Sequence, residues 1–250
     1  MPKITALIIT LNEAKNIGAV IENLDFADEI IIVDSFSTDE TVSIAESYTK
    51  VKVYQHKFED FTTQRNFALD KANFEWILFL DADERVSKSL QQEIVDTISS
   101  EHTVDAYFFF RKFMFEDKPL QFSGWQTDKS IKLFKKSKAK YNEEHLVHEV
   151  LRVDGSVSSL KNKLIHYSYN SYESYKIKMK SYAKLKAQEL HNKSLKPNAF
   201  HYIIKPLYRF LYGYIVRLGF LDGRKGIIIC YLNALSVYKR YSYMKQLSKQ

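Results

Sequence analysis

Two aspartates separated by one small residue come directly after a short apolar run. The run reads Trp-Ile-Leu-Phe-Leu at positions 76–80, and positions 81–84 read Asp-Ala-Asp-Glu. Five apolar residues are too few to span a membrane and are typical of a strand buried on both faces. Because alternate residues of an extended chain point the same way, Asp81 and Asp83 can face one ligand. Their oxygens suit a hard divalent cation, Mg²⁺ or Mn²⁺, which commonly shares its coordination with substrate phosphates.

An Asp-x-Asp pair alone also fits a second interpretation, the polar start of a helix after a strand. Three more polar groups in the same part of the chain favour a ligand site over a helix start. They read Thr10-Leu11-Asn12-Glu13, Asp34-Ser35-x-Ser37-Thr38-Asp39 and Gln64-Arg65-Asn66. Ligands of open α/β sheets bind outside the carboxyl ends of the strands, so polar groups at several strand ends favour a ligand site.

The elements that position these groups alternate between strand and helix. Apolar runs predict strands at 4–10, 29–33, 51–54 and 76–80. Helical spacing of apolar residues predicts helices at 13–24, 62–72 and 87–99, the last capped by Ser87, and a helix to about Thr49 capped by Thr38 or Asp39. This alternation predicts a mostly parallel, doubly wound α/β sheet flanked by helices. Shorter strands after residue 104 predict the less regular half of such a domain.

Bulk composition allows a sizeable core and indicates a reducing environment. The chain has 250 residues, of which 45% are apolar, enough for one domain with an appendage or for two small domains. The single cysteine, Cys230, excludes an intramolecular disulfide framework and fits a reducing compartment. The first residues lack the layout of a signal peptide, which favours a cytoplasmic location.

The net charge of +7 is divided unevenly along the chain. Residues 1–150 carry 18 Lys and Arg against 26 Asp and Glu, whereas residues 151–250 carry 19 against 4 and hold 13 of the 17 tyrosines. The longest uncharged run of this second part, at 226–238, has 13 residues, short of the ~20 that cross a bilayer. Cations among aromatics are typical of helices that lie in an anionic membrane interface.

We therefore predict peripheral association with the inner face of the cell membrane. The alternative is a helical subdomain that packs on the core and is coated with lysine. Binding to nucleic acid is disfavoured because the chain contains no recognised nucleic-acid module.

The four polar groups, in this order, resemble those of family 2 glycosyltransferases, inverting enzymes with a GT-A fold that use nucleotide-sugar donors. The closer likeness is to the bacterial lipopolysaccharide-core glucosyltransferases of that family. The shared stretches are Val33-Asp34-Ser35, Gln64-Arg65-Asn66-Phe67-Ala68, Leu80-Asp81-Ala82-Asp83-Glu84-Arg85, Val147-His148-Glu149, and Gly-Phe-Leu-Asp-Gly at 219–223. One departure is Phe36, where the family usually has glycine, and it leaves the conformation of that turn open.

The resemblance covers almost the whole chain and implies a division of it. Residues 1–168 would form the GT-A domain, with a nucleotide-sugar-binding half at 1–100 and an acceptor half at 101–168. Residues 169–250 would form a basic, aromatic, helical C-terminal region that associates with the membrane.

The resemblance also implies a donor site. Thr10, Asn12 and Glu13 would line the nucleotide pocket, and Asp34 would accept a hydrogen bond from the uracil N–H. Arg65 would lie against the base or the diphosphate, since a planar cation matches phosphate oxygens.

Asp81 would contact the ribose or the metal, and Asp83 would hold Mn²⁺ or Mg²⁺ on the diphosphate. A bound cation stabilises the charge that builds on the leaving phosphate.

The acceptor hydroxyl must lose its proton as it attacks, so the reaction needs a general base. Our candidate is Glu149, with Glu143 and Glu144 as fallbacks. His148 is an acceptor contact, a metal ligand or an ordinary hydrogen-bonded neighbour of Glu149. Trp125 either stacks on a sugar ring or serves as a core or lid aromatic.

The implied function is transfer of a hexose, first of all glucose, from a UDP-sugar to a lipid-linked or lipopolysaccharide-core acceptor. Two alternatives remain open. A nucleotidyltransferase has a similar core but usually places a glycine-rich loop after the first strand, whereas the first glycine here is Gly18. A non-catalytic membrane or RNA-binding scaffold is expected to have lost the carboxylates Asp81 and Asp83, which are present.

Overall fold

The computed structural model describes residues 2–116, 118–141, 151–169 and 171–248. The chain forms two compact units. The first comprises Met1–Arg111 and Lys129–His166, and the second comprises Lys112–Asp128 and Tyr167–Gln250.

The first unit begins with four strands that alternate with four helices. The strands are β1 (Ile4–Thr10), β2 (Glu29–Asp34), β3 (Val51–Gln55) and β4 (Trp76–Asp81). The helices are α1 (Ala14–Asn23), α2 (Thr41–Glu46), α3 (Phe61–Lys71) and α4 (Lys88–Ser99). These strands pair in parallel in the order β3-β2-β1-β4. The predicted strand–helix alternation is therefore confirmed.

Shorter strands follow and make the rest of the sheet mixed. They are β5 (Glu84–Arg85), β6 (Ala106–Phe115), β7 (Lys118–Leu120), β8 (Lys129–Lys135), β9 (Ala139–Tyr141), β10 (Leu151–Val153), β11 (Val157–Ser159) and β12 (Leu164–Tyr169). Strand β8 pairs antiparallel with both β4 and β6, while β9 and β10 form a separate antiparallel pair. The register of β8 on β4 brings Lys132 to the end of β4 that carries Asp81.

Helices cover both faces of the parallel strands, as a doubly wound sheet requires. On one face Ile8 and Ile32 pack with apolar residues of α1 and α4, such as Val20 and Leu90. On the other face Leu7 packs with residues of α3 and of the β9–β10 pair. Strand residues are therefore buried on both sides, which explains why their sequences are continuous apolar runs.

One of the two predicted helix caps is confirmed and the other is wrong. Ser87 caps α4 by accepting the backbone N–H of Leu90 at 3.2 Å. Helix α2, however, starts at Thr41 with Glu40 as its N-cap and has no side-chain cap. Asp39 Oδ1 does accept the Thr41 N–H at 3.1 Å from one position before the N-cap, while Asp39 Oδ2 and the Thr38 N–H bind Ala14 and Asn12.

The second unit is mainly helical. It contains the end of β6 paired with β7, followed by α5 (Tyr172–Asn192), α6 (Lys205–Leu211) and α7 (Gly223–Leu247). Short π-helical turns at Phe200–Ile204 and Tyr212–Val216 flank α6. Phe115, Tyr175 and Ile229 form its core, and the Tyr175 hydroxyl donates to Asn233 Oδ1 at 2.7 Å. None of the helices in the described ranges is long and apolar enough to cross a membrane.

Candidate active site at the carboxyl edge of the sheet

Hydrogen bonds join the turn after β1 to the turn after β2. Thr10 and Asp34 are register partners, and Ser35 N–H donates to Thr10 O at 2.9 Å. Asn12 N–H donates to Ser37 Oγ at 2.8 Å, and Thr38 N–H donates to Asn12 Oδ1 at 2.8 Å. The first two polar groups of the sequence therefore form one continuous edge of the site.

The side chains of this edge differ in how many of their polar atoms are already hydrogen-bonded. Asp34 is buried, and both of its oxygens accept hydrogen bonds from Ser37, one from the backbone N–H and one from the hydroxyl. Thr10 is 5% exposed, and its Oγ1 has no hydrogen-bond partner among the residues that the structure describes. Burial raises the pKa of Glu13, and the negative charge of nearby Asp83 adds to this increase. The turn after β1 therefore lies in the electrostatic field of Asp83.

Asp81, at the end of β4, lies between two cations. Arg65 approaches Asp81 Oδ1 at 3.0 Å, and Lys132 Nζ approaches Asp81 Oδ2 at the same distance. Burial would raise the pKa of Asp81, but the charges of Lys132 and Arg65 hold it well below its usual range. The two cations therefore favour the carboxylate form of Asp81, which is 31% exposed and has both oxygens engaged.

Lys132 also binds Glu84, which completes a buried charge cluster. Its Nζ lies 2.5 Å from Glu84 Oε2, and the two side chains are 5% and 0% exposed. The same Glu84 oxygen accepts the backbone N–H of Asp81 at 2.9 Å, so it fixes the turn that follows β4. Burial would lower the pKa of Lys132, but Asp81 and Glu84 raise it, so the ammonium stays charged.

Asp83 faces a histidine from a distant part of the chain. His166 Nε2 lies 3.2 Å from Asp83 Oδ2, and the Asp83 side chain is 27% exposed. His166 reaches this position because β12 pairs antiparallel with β5, which places His166 opposite Glu84. Burial would raise the pKa of Asp83, but the hydrogen bond and charge of His166 hold it below its usual range.

Each residue of Gln64-Arg65-Asn66 ties α3 to a different part of the sheet edge. Gln64 Nε2 donates to Ser35 Oγ at 3.0 Å, and Asn66 exchanges two hydrogen bonds with the backbone of Tyr141. The Arg65 guanidinium lies 4.7 Å from the centre of the Phe79 ring and 5.5 Å from that of Tyr141. The two rings therefore support Arg65 where it contacts Asp81. Each of the three adjacent polar residues thus has its own partner at this edge of the sheet.

The residues predicted to bind the acceptor are not placed at this edge of the sheet by the described part of the structure. Trp125 belongs to the second unit, where its ring packs 4.2 Å from the Phe113 ring. His148 and Glu149, with the fallback bases Glu143 and Glu144, lie outside the described residues.

The Gly-Phe-Leu-Asp-Gly stretch at 219–223 acquires a structural role. Asp222 accepts hydrogen bonds from the backbone N–H groups of Gln121 and Phe122 and from the Ser123 hydroxyl, at 3.0–3.1 Å. Arg217 O accepts the N–H of Ser123 at 3.0 Å. This stretch therefore holds the turn that leads into Trp125.

Sequence reasoning missed Lys132, Glu84 and His166 as members of the site. Glu84 stands within the quoted motif, but its oxygens point back to the Asp81 backbone. Lys132 and His166 lie after residue 104, where the sequence predicts only short strands. Nothing in their local sequence signals a carboxylate partner. The pairing of β8 and β12 brings them to the site.

The described side chains fit a metal that is shared with a substrate. Across the described ranges, no group of three or more His, Cys, Asp or Glu is arranged to hold a metal ion. Asp83 and His166 nevertheless offer a carboxylate oxygen and an imidazole nitrogen on one side of the cluster. Such a pair suits a divalent cation whose remaining ligands are phosphate oxygens and water.

Comparisons with known proteins agree with this geometry. The chain matches glycosyl transferase family 2 over residues 5–153. It is 25% identical to the lipopolysaccharide core biosynthesis glycosyltransferase LpsC of Rhizobium meliloti, over 97% of this chain and 95% of LpsC. An uncharacterised glycosyltransferase of Rickettsia felis is 29% identical, over 98% of this chain and 90% of that protein.

A solved structure gives the same answer for the fold. The crystal structure of S. aureus TarS 1–349 superposes with a TM-score of 0.51 and 19% identity, over 99% of this chain and 91% of that one. The predicted GT-A architecture, with its C-terminal helices, is therefore confirmed. The strand-end carboxylates, the sheet order and the family match lead to one conclusion: the protein belongs to glycosyl transferase family 2.

Proposed function

We propose that this family 2 glycosyltransferase moves a hexose, with glucose the first candidate, from a UDP-sugar to a lipid-linked or lipopolysaccharide-core acceptor with inversion. The observation that carries the proposal is the joined edge at β1, β2 and β4, where Thr10, Asp34 and Asp81 end adjacent strands. TarS 1–349 has been solved in complex with UDP and with UDP-GlcNAc, which supports a UDP-sugar donor. The name of LpsC supports a lipopolysaccharide-core acceptor.

In this proposal the donor lies along the joined edge. Thr10, Asn12 and Glu13 line the nucleotide pocket, and the unsatisfied Thr10 Oγ1 gains a hydrogen-bond partner from the ligand. Asp34 accepts the base N–H. Its oxygens already bind Ser37, but a carboxylate has about four acceptor sites and retains capacity for another donor.

The diphosphate lies near Arg65, Asp81 and Asp83. Asp83 and His166 would hold Mn²⁺ or Mg²⁺, with Asp81 contacting the ribose or the same ion. When bound, this ion neutralises charge on the departing diphosphate. The Arg65 guanidinium, supported by Phe79 and Tyr141, offers a second positive charge in fixed geometry. Lys132 and Arg65 favour the ionised form of Asp81.

The acceptor hydroxyl would be deprotonated by Glu149, with Glu143 and Glu144 as alternatives. His148 would contact the acceptor. Trp125 would stack on a sugar ring, although its contact with Phe113 equally supports a core role. One direct displacement inverts the anomeric centre, so an α-linked donor would give a β-linked product.

The proposal also places the protein at an anionic membrane surface through its C-terminal helices. Large apolar side chains of residues 200–221 are 40–64% exposed: Phe200, Ile203, Ile204, Leu207, Tyr208, Leu211, Ile215, Val216, Leu218, Phe220 and Leu221. The same segment carries Lys205, Arg209 and Arg217 and has no Asp or Glu. Monomeric soluble proteins rarely leave so much contiguous apolar surface uncovered, and the cations complement anionic lipid.

The deciding experiment measures turnover across a panel of UDP-sugars, with and without Mn²⁺, for the wild type and Asp83→Ala. We expect metal-dependent turnover of one donor, lowered at least about 100-fold by the substitution, because Asp83 would be a ligand of the divalent cation that neutralises the departing diphosphate. Asp96→Ala is the matched control, since Asp96 is an exposed residue of α4. If turnover is silent for want of an acceptor, Mn²⁺-dependent UDP binding replaces it. Failure of the wild type to bind UDP would overturn the proposal.

A further inference from the structure

Phe36 is an exposed aromatic residue in a backbone conformation that bulky residues rarely adopt. Its φ is 62°, in the left-handed region, and 53% of its surface is exposed. A large side chain in this region is a genuine outlier, because the Cβ approaches the neighbouring carbonyl too closely. The side chain is not buried in a core that would repay this strain.

Hydrogen bonds on both sides hold the turn in this conformation. Ser35 N–H donates to Thr10 O, and Ser37 donates to both oxygens of the buried Asp34. Ser37 Oγ in turn accepts Asn12 N–H at 2.8 Å. These hydrogen bonds hold the turn around Phe36, whose side chain stays exposed.

A second observation at the same edge indicates a missing ligand group. Thr10 is 5% exposed, and its Oγ1 lacks a hydrogen-bond partner within the described part of the chain. The Thr10 carbonyl accepts a hydrogen bond from the backbone N–H of Ser35, the residue directly before Phe36. Leu11, the residue after Thr10, is 52% exposed. The residue with the unsatisfied hydroxyl is thus followed by one exposed apolar residue and joined through its backbone to the turn that carries another, a combination that suits a ligand with both a polar edge and a flat apolar face.

We propose that Phe36 stacks on the base of the nucleotide donor, with Leu11 extending the apolar platform. This inference rests on the proposed function, and it assigns a binding role to a residue at which the sequence departs from the family's usual glycine. A base presents a π-face to an aromatic ring, and such stacking tolerates an exposed site. The strain at Phe36 is retained because it aims the ring at the ligand.

The test compares UDP affinity and thermal stability of the wild type, Phe36→Gly and Phe36→Tyr by calorimetry in the presence of Mn²⁺. Phe36→Gly should bind UDP about tenfold more weakly, the scale of one base–aromatic stack, while its melting temperature stays equal or rises. Phe36→Tyr retains a ring and should keep UDP affinity within about twofold. Affinity for inorganic pyrophosphate, which has no base, should be the same in all three proteins.

Leu218→Gly is the matched control. Leu218 also has a left-handed backbone, with φ 57°, and is 41% exposed, but it belongs to the second unit. Its replacement should affect melting as Phe36→Gly does and leave UDP affinity unchanged.

Three outcomes overturn the inference. In the first, Phe36→Gly binds UDP as tightly as the wild type, so the proposed function survives and only the stacking role fails. In the second, UDP and pyrophosphate weaken together, which shows a general disruption of the site. In the third, the wild type binds no UDP, and the stacking role then fails together with the proposed function.

Discussion

At the carboxyl edge of the sheet, the ionisable side chains of Glu84 and Lys132 are buried and paired, and Lys132 also binds the partly exposed Asp81, whereas along residues 200–221 large apolar side chains face water. Both arrangements reverse the usual distribution of polar and apolar groups. A buried charge is costly unless a partner of opposite sign and hydrogen bonds compensate it. An exposed apolar face is costly unless something covers it in use.

The difference between the two regions lies in where the compensation comes from. In the charge cluster it is internal, since Lys132 satisfies two carboxylates and Glu84 also accepts the Asp81 backbone N–H. In the helical segment the described residues leave the large apolar side chains 40–64% exposed, and we propose that lipid covers them. Compensation within the chain is tested by substituting a residue of the charge cluster and measuring the free energy of unfolding. Compensation by lipid is tested by measuring the binding of the protein to vesicles.

The largest effect is expected from breaking the internal compensation. Lys132→Met leaves the fully buried Glu84 and the partly exposed Asp81 without their ammonium, and we expect a loss of about 3–5 kcal/mol in the free energy of unfolding, measured in urea. Lys135→Met is the matched control on the same strand. Lys135 pairs with Asp105 at 3.0 Å, but the two side chains are 26% and 20% exposed, so we expect a loss of about 1 kcal/mol or less. Equal losses would refute the role of burial.

An intermediate effect is expected from reducing the apolar surface of the helical segment. Leu207 and Ile215 are 51% and 55% exposed, so the double variant Leu207→Ser/Ile215→Ser should fold normally. Its dissociation constant for anionic phosphatidylglycerol vesicles should rise about tenfold or more, because each buried Leu or Ile contributes about 1.5–3 kcal/mol when fully covered. Co-sedimentation of the full chain with vesicles measures this.

The control for that experiment uses equally exposed residues of α5. Ile177 and Leu185 are 63% and 62% exposed, and Ile177→Ser/Leu185→Ser should change vesicle binding by less than about twofold if insertion is confined to residues 200–221. Equal loss in both double variants would show that binding is not localised. Self-association of the wild type without vesicles would assign the apolar face to a second copy of the chain.

The smallest expected effects on stability concern two surface carboxylates. One is hydrogen-bonded mainly by a fixed backbone N–H, and the other by flexible lysine side chains. The pKa values of Asp105 and Glu189 are both lowered to about 2. The main cause for Asp105 is the backbone N–H of Ser156, whereas for Glu189 it is hydrogen bonding to Lys186 and Lys193. A folded pKa below the unfolded one means stability that is complete above the unfolded value near 4 and is lost as pH falls toward 2.

Urea unfolding between pH 7 and pH 2 measures this difference. Asp105→Asn and Glu189→Gln should each be less stable than the wild type at pH 7 and indistinguishable from it near pH 2. In 1 M salt the Glu189→Gln deficit should disappear, because flexible surface charges are screened, while the Asp105→Asn deficit should persist. Persistence of both would contradict the assignment of Glu189 to flexible pairing.

Much of the first unit could be predicted from local sequence. The runs at 4–10 and 76–80 became β1 and β4 because strands buried on both faces require continuous apolar residues. The Ser87 cap was predictable because capping depends on neighbouring residues alone. The predicted cap position of α2 was wrong by one residue or more, since Glu40 is the N-cap, although Asp39 accepts the Thr41 N–H; Asp39 and Thr38 also bind Ala14 and Asn12, some 25 residues earlier in the chain. Local sequence does not show such competing partners.

The sequence by itself determined the strand–helix order, the positions of the strand-end carboxylates and the family, since these depend on residue type and spacing along the chain. Only the tertiary structure decided which groups surround those carboxylates. Lys132 reaches Asp81 through the register of β8 on β4, and His166 reaches Asp83 through the pairing of β12 with β5. Strand pairing between distant segments depends on packing of the whole sheet, and that information is absent from any local stretch of sequence.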